Sequence, residues 1–214
     1  MISSRLKSLS SLIECGEDIY DIGCDHALLD IYLTLEKGCC CHCFDVNKGI
    51  VNRAISNIKK YNLCEKIDVK VGNGFDDLGL NSSSLMVLAG MGTGTILRIL
   101  EKNHTNDILC QTNTDIYLLR KKVCEMGYYI VSEKLVFDNK RFYVSIRFSL
   151  GRVSYSYDQL LLGPCLIDEN SVLFKQYVKN LYDKYIGGYN KSLEFNGDSF
   201  NDISLMINCL KRYI

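Results

Sequence analysis

Two spacings of apolar residues alternate along the first 150 residues of the chain. Short runs rich in strand-forming residues are separated by stretches in which apolar residues recur at helical spacing. The predicted strands cover residues 18–22, 40–46, 67–71, 85–89, 108–111, 129–137 and 142–148, and the predicted helices cover 3–15, 27–37, 48–61, a stretch ending near 102, and 115–126. Strands that alternate with helices predict right-handed crossovers and a largely parallel sheet.

The pattern changes towards the end of the chain. Residues 138–141 alone join the last two strands, which predicts a hairpin and antiparallel character at one edge of the sheet. Residues 1–150 are therefore expected to form a Rossmann-like α/β domain. In residues 151–214 we predict a turn at 160–164, a helix at 169–186, a break at Gly187-Gly188, and a last helix at 202–213. This appendage is expected to be a small helical pair packed beside the sheet domain.

Composition narrows the class of protein. The chain has 214 residues, 47% of them hydrophobic, which is enough to bury a real core, but it has no apolar run of membrane-spanning length and no recognisable signal peptide. Eleven cysteines, an odd number, favour reduced thiols and a cytoplasmic location. Lys+Arg and Asp+Glu both number 25, so overall charge does not support a nucleic-acid partner. Local basic candidates are residues 120–122 and 140–141.

The first candidate site follows the first strand and contains Asp21, Gly23, Asp25 and His26. A glycine directly after a buried strand allows a tight turn and lets the next helix offer its N-terminal amides to a ligand. The G-x-G-x-x-G pattern of dinucleotide-binding proteins is absent. A carboxylate at the turn repels phosphate but suits a cationic sulfonium ligand. This favours S-adenosylmethionine (SAM) over NAD, with an ordinary strand–helix turn as the alternative.

Three further candidates follow the next strands. Asp45 lies 22 residues after Gly23 and ends the second strand, where an acidic side chain can accept both ribose hydroxyls. Asn73 follows the third strand, where its amide could meet the adenine edge, or it could be a turn asparagine. Gly90 begins a run of three alternating glycines after the fourth strand, which allows close approach to the backbone. No Gly-Lys-Ser/Thr follows this run, so a P-loop is not indicated.

These motifs together resemble one family. The segments DIGCDHALLDIYL (21–33), FDVNKG (44–49), VGNG (71–74), LAGMGTGTI (88–96) and LCQTN (109–113) are similar in order and spacing to those of the bacterial tRNA (adenine(22)-N1)-methyltransferases, which are class I SAM-dependent enzymes. The resemblance covers residues 5 to about 150 and extends to a helical appendage after a Gly-Pro turn. It implies SAM as cofactor, tRNA as substrate and methylation of N1 of an adenosine.

The resemblance also implies roles for individual residues. Asp21, Gly23, Asp25 and His26 would form the first SAM-binding motif. Asp45, in place of a more usual Glu, would hold the ribose, and Asn73 would stand at the adenine end where the family has Asp.

Other residues depart from the family pattern or carry its chemistry. Thr112 replaces a proline, which puts the rigidity of that loop in question, and Tyr143 occupies the place of a glutamate. We hypothesise that Asp25 and His26 position the base or move the N6 proton, while Gly90 and Asn113 shape the adenosine pocket. His26 as a plain neighbour of a helix start is the alternative.

Three questions stay open at this point. The run Cys39-Cys40-Cys41-His42-Cys43 could suggest a metal, but alternate residues of a strand point to opposite faces, so we expect buried cysteines and no metal site. The target could be another RNA or a small molecule, or the chain could bind SAM or RNA without turnover. The sequence does not define the oligomeric state, and a monomer is the simplest case.

Overall fold

A computed structural model of the chain describes residues 2–73, 83–103, 105–192 and 200–214. The chain divides into two compact units, Met1–Val153 and Ser154–Ile214. Gly74, which ends the VGNG motif, and part of the polar stretch predicted before the last helix lie outside the described residues.

The first unit is built on a seven-stranded sheet. Its strands are β1 Asp18–Ile22, β2 Cys40–Asp45, β3 Ile67–Val71, β4 Leu85–Met91, β5 Asp107–Thr112, β6 Tyr128–Asp138 and β7 Arg141–Leu150. The helices of this unit are α1 Ser4–Ser10, α2 Leu28–Lys37, α3 Lys48–Lys60, α4 Thr93–Leu100 and α5 Ile116–Glu125. The sheet order is β3-β2-β1-β4-β5-β7-β6, and β7 runs antiparallel to both of its neighbours. The mostly parallel sheet with a terminal hairpin, predicted from the sequence, is confirmed.

The sheet order creates one crevice that matters for binding. The chain builds the sheet outwards from β1 through β2 to β3, and then returns to place β4 on the other side of β1. At such a switch point the connections leave in opposite directions, so the carboxyl ends of the two central strands open onto a crevice in which α/β proteins bind ligands. The turns after β1 and β4 therefore lie where the sequence placed the candidate site.

The cysteine-rich strand β2 packs as the alternation predicts. Cys41 and Cys43 are fully buried in the core beneath α2, while Cys40 on the opposite face is exposed. Cys39, just before the strand, is also buried. These thiols act as small apolar side chains at the centre of the first unit.

The second unit has more helices than the sequence suggested. It contains α6 Tyr157–Leu162, α7 Pro164–Glu169, α8 Val172–Ser192 and α9 Phe200–Leu210, and α8 packs against α9. The prediction of a turn at 160–164 was wrong, because these residues end α6 and begin α7. Ser156 caps α6 through a capping box, Gly163 separates the helices with φ of 98°, and Pro164 starts α7, where its missing amide hydrogen is not needed.

The predicted break at Gly187-Gly188 was also wrong, because α8 continues to Ser192. A glycine inside a helix costs only about 1 kcal/mol relative to alanine, so a 21-residue helix can contain two of them. Of the helices in the described part of the chain, none combines the length and the apolar character needed to cross a membrane.

Candidate active site

The turn after β1 is held by its neighbour strand. The backbone amides of Gly23 and Cys24 both donate to the carbonyl of Phe44 on β2, at 2.7 and 3.2 Å. Gly23 has φ of +86°, and a Cβ built on it would lie 2.9 Å from the terminal methyl group of Met91. The backbone angle favours glycine here, whereas the Met91 methyl ends a flexible side chain and would only have to shift to admit a Cβ.

The next residues carry backbone strain. Asp25 and Ala27 have φ of +52° and +55°, in the left-handed region that non-glycine residues seldom adopt. Ala27 is the N-cap of α2, and its side chain cannot cap the helix. The first amides of α2 therefore have no side-chain acceptor from this residue, which suits an anionic ligand group. Strain at two positions that flank His26 is typical of a binding turn.

A cavity opens directly against this turn. Its lining includes the predicted site residues of the first motif, Asp21, Gly23, Asp25 and His26, together with Cys24, Leu28, Leu29, Ala89, Arg5 and Leu6. The structure therefore brings together four of the eight predicted site residues in one cavity. The side chains of His26 and Asp25 approach within 3.6 Å, and the Asp25 side chain is 70% exposed.

Asp21 differs from Asp25 in its environment. It is buried, with 4% of its surface exposed. Burial and the nearby acid Asp30 raise the pKa of Asp21 well above its ordinary value. No cation is among the described groups that act most strongly on Asp21, so this buried acid suits a positively charged ligand.

Asp45 and Asn73 lie further along the same rim. Asp45 ends β2, and its Oδ1 accepts the backbone amide of Asn47 at 2.8 Å, which fixes the carboxylate beside the start of α3. Asn73 follows β3, which pairs with β2, and is exposed. Neither residue lines the cavity at β1, so the two stand apart from it on neighbouring strand ends.

The carboxyl ends of β4 and β5 are joined by an amide network. Asn113 donates through Nδ2 to the carbonyl of Gly90 at 2.6 Å, and its Oδ1 accepts from Gln111 Nε2 at 3.1 Å. Gly90 has φ of +79°, in the left-handed region. The structure thus places the predicted pair Gly90 and Asn113 in direct contact, with the orientation of the Asn113 amide set by Gln111.

Thr112 holds the loop in which the family pattern has proline. Its hydroxyl lies 2.9 Å from that of Thr93 and 3.3 Å from the carbonyl of Met91. Hydrogen bonds to the β4 turn therefore fix this loop without a proline.

Arg5 is the site residue that the sequence reasoning missed. It lines the cavity, donates from Nη1 to Gln111 Oε1 at 2.7 Å, and lies with Cζ 5.7 Å from the ring centre of Tyr143. A Cβ on Gly90 would be 3.1 Å from Nη1. Arg5 therefore connects the β1 cavity to the β4–β5 network. Its place on the short helix α1 gives no sequence signal, because the contact joins residues more than a hundred positions apart.

Metal chemistry receives no support from the residues that the structure describes. Among them, no group of three or more His, Cys, Asp or Glu side chains is arranged to hold a metal ion.

Comparisons with known proteins identify the family of the chain. The family model described as "Methyltransferase domain" matches residues 2–146. The tRNA (adenine(22)-N(1))-methyltransferase of Bacillus subtilis is 25% identical over 193 residues, which are 84% of this chain and 81% of that protein. These findings confirm the resemblance seen in the motifs.

Solved structures extend the similarity to the whole chain. The Streptococcus pneumoniae protein Sp1610, solved in complex with S-adenosyl-L-methionine, is 26% identical with a TM-score of 0.87, covering 100% of this chain and 99% of that one. The crystal structure of the B. subtilis m1A22 tRNA methyltransferase TrmK has a TM-score of 0.85 at 21% identity, with coverage of 100% and 99%, and shares the fold.

Proposed function

The chain belongs to the methyltransferase-domain family, and we propose that it transfers the methyl group of SAM to N1 of adenosine 22 in tRNA. The observation that carries the proposal is the cavity at the β1 turn, which Arg5 connects to the Gly90–Asn113 pair. A cofactor site and an acceptor site side by side are what direct methyl transfer requires. The B. subtilis relative, similar over 84% of this chain, supports the adenine-22 target.

The residues at the first turn fit SAM. The buried carboxyl group of Asp21 suits the cationic end of the cofactor, and the first amides of α2, which Ala27 leaves uncapped, suit its carboxylate. Asp45, at the end of β2, would accept the ribose hydroxyls, and Asn73 would meet the adenine. When bound, SAM supplies an electrophilic methyl group on a sulfonium centre.

Within the acceptor site, Asn113 would orient the base. Its amide has two donor hydrogens and two acceptor lone pairs, of which Gly90 and Gln111 occupy one each. One donor and one acceptor remain on the same amide, and these match the paired donor and acceptor of an adenine edge. Because N1 of adenine is already a nucleophile, alignment rather than a strong base is the main requirement. Asp25 and His26 would hold the base or accept the N6 proton.

We propose that the helical appendage, predicted from the sequence as residues 151–214, holds the tRNA. Lys175, Lys179 and Lys184 on α8 are exposed, although Lys179 lies 3.7 Å from Asp183. Replacing Lys175 and Lys184 together by Glu should weaken tRNA binding and leave SAM affinity unchanged, because phosphate contacts are electrostatic. A cytoplasmic location is part of the same proposal, since it follows from the tRNA substrate.

The direct test is tritiated methyl transfer from SAM to unmodified tRNA transcripts with adenosine or guanosine at position 22. Incorporation that disappears with guanosine supports both reaction and target. If SAM binds in a calorimeter but no methyl is transferred, the acceptor is a different RNA or small molecule, or the chain binds SAM without turnover.

Asp25 has its own test within that assay. The variant Asp25→Ala should lose methyl transfer. Transfer at the normal rate with unchanged SAM affinity would contradict the role given to this carboxylate.

A further inference from the structure

A second acid lies buried behind the cofactor turn. Asp30, in the first turn of α2, is fully buried, and neither of its carboxylate oxygens makes a hydrogen bond of ordinary geometry within the described residues. The donors that act on it are its own amide and the weakly donating thiols of Cys41 and Cys43. A buried carboxylate with only such donors and no cation among its strongest influences is costly, so this residue needs an explanation beyond packing.

The neighbour of Asp30 is Asp21, which lines the cavity. Each of the two side chains affects the titration of the other, and they are placed to exchange a hydrogen bond. Two ionised carboxylates have no proton with which to make that bond. One proton between them would supply the missing donor and remove the like-charge repulsion.

The surroundings contain no compensating cation among the groups that act most strongly on the pair. Those groups are the thiols of Cys24, Cys41 and Cys43 and the carboxyl group of Asp45. Burial raises the pKa of Asp30 to about 6, against a smaller opposing effect of Cys43. Burial and Asp30 raise the pKa of Asp21 well above its usual value.

We infer that Asp21 and Asp30 share one proton in the free protein and release it to solvent when the positively charged cofactor binds. Asp30 is then a positioning residue that acts through Asp21. The inference rests on the proposed function, because it needs SAM in the cavity that Asp21 lines. On binding, one O–H bond of the acid pair breaks and the proton goes to the buffer. The positive charge of the cofactor then replaces the positive charge of the released proton beside the two carboxylates.

Two consequences separate this role from a structural one. SAM affinity should rise with pH through the range in which the free pair still holds its proton, by up to about tenfold per pH unit. S-adenosylhomocysteine (SAH), the reaction product, lacks the sulfonium charge, so its binding should release fewer protons and depend less on pH.

The test is titration calorimetry of the full chain with SAM and with SAH, in buffers of different ionisation enthalpy between pH 5.5 and 8. The wild type should release up to about one proton per SAM bound at the acidic end. Asp30→Asn keeps the shape and gives Asp21 a neutral donor, so this variant should bind SAM with little proton release and a flat pH profile. Asp18→Asn, on the same strand but away from the cavity, is the matched control and should behave as the wild type does.

Infrared spectroscopy gives a second readout that does not depend on affinity. A protonated carboxyl band should be present in the free wild type, decrease on adding SAM, and be weaker in Asp30→Asn. SAM binding without proton release, or with the same pH profile in Asp30→Asn and wild type, would overturn the inference and leave the proposed function intact. Failure of SAM to bind the folded wild type would instead count against the proposed function itself.

Discussion

Two regions of the first unit bury charge in opposite ways. Between α5 and β6, Arg120 and Glu133 are both fully buried, and the guanidinium Nε lies 2.8 Å from the carboxylate. Between β1 and α2, Asp21 and Asp30 are buried as two acids with no cation among their strongest influences. The first region pairs its charges within the protein, and for the second we propose that a bound ligand supplies the positive charge.

A third cluster, which includes Arg147 of the hairpin strand β7, also pairs its charges within the protein. Arg147 on β7 contacts Glu17 at 2.6 Å and Asp107 at 2.5 Å, and also donates to the carbonyl of Leu12. In these two clusters the charges that connect elements are paired, whereas the acids Asp21 and Asp30 have no cation among the described groups that act most strongly on them. The contrast distinguishes residues that hold the fold together from residues that wait for a ligand.

The largest expected effect is on the free energy of unfolding, when the Arg120–Glu133 pair is broken. Arg120→Ala leaves Glu133 buried without its partner, so the free energy of unfolding should fall by about 3–5 kcal/mol. Urea denaturation monitored by circular dichroism measures the loss. SAM affinity of the folded fraction should not change, because the pair lies away from the cavity lining. The double variant Arg120→Met/Glu133→Leu should recover much of the stability, and a loss equal to that of Arg120→Ala would contradict this explanation.

At the Asp21–Asp30 pair, removing a charged group should raise the free energy of unfolding instead of lowering it. The pKa of Asp30 is about 6 in the folded protein and ordinary in the unfolded chain, so between about pH 4 and 6 the unfolded chain binds fewer protons and stability falls as pH rises. This effect is at most about 3 kcal/mol, counted against an ordinary aspartate. Asp30→Asn should remove that part of the pH dependence and be more stable than the wild type at pH 7.5. Denaturation of both proteins at pH 4.5 and 7.5 measures it, and a variant less stable at both values would refute the expectation.

Asp21→Asn should separate binding from stability. The amide keeps the shape but loses the charge that faces the cofactor, and a hydrogen bond to a charged group contributes about 1.5–3 kcal/mol. SAM affinity should therefore fall roughly 10- to 100-fold, while the unfolding midpoint stays the same or rises. Calorimetry with SAM and SAH is the measurement. An equal loss for both ligands would show that Asp21 does not recognise the sulfonium charge, because SAH lacks that charge.

Sequence reasoning located the turn after β1 better than it located the paired charges such as Arg120 and Glu133. The position of Asp21, Gly23, Asp25 and His26 follows from a strand that ends in a glycine, and the structure gathers all four in one cavity. The partners of buried charges are not predictable in this way. Arg120 and Glu133 are 13 positions apart on elements of different type, and Arg147 contacts Glu17 from 130 positions away.

The helix boundaries of the second unit were also hard to predict from the sequence. Glycine pairs and Gly-Pro steps usually punctuate elements, but α8 runs through one such pair and α7 begins at the proline of the other. The Ser156 capping box marks only the start of α6, and caps of this kind are weak signals in a single sequence.

The smallest expected effect concerns Arg5, which is hydrogen-bonded to Gln111 and also lines the cavity that contains Asp21. Its guanidinium lies over the ring of Tyr143 and donates to Gln111, which in turn orients Asn113. Arg5→Lys keeps the charge but loses the planar group, which removes about 1 kcal/mol of stacking and fork geometry. We expect kcat for tRNA methylation to fall about fivefold, with SAM affinity and unfolding midpoint unchanged. If Arg5→Lys instead weakens SAM binding and leaves kcat unchanged, Arg5 serves the cofactor side of the cavity and not the acceptor.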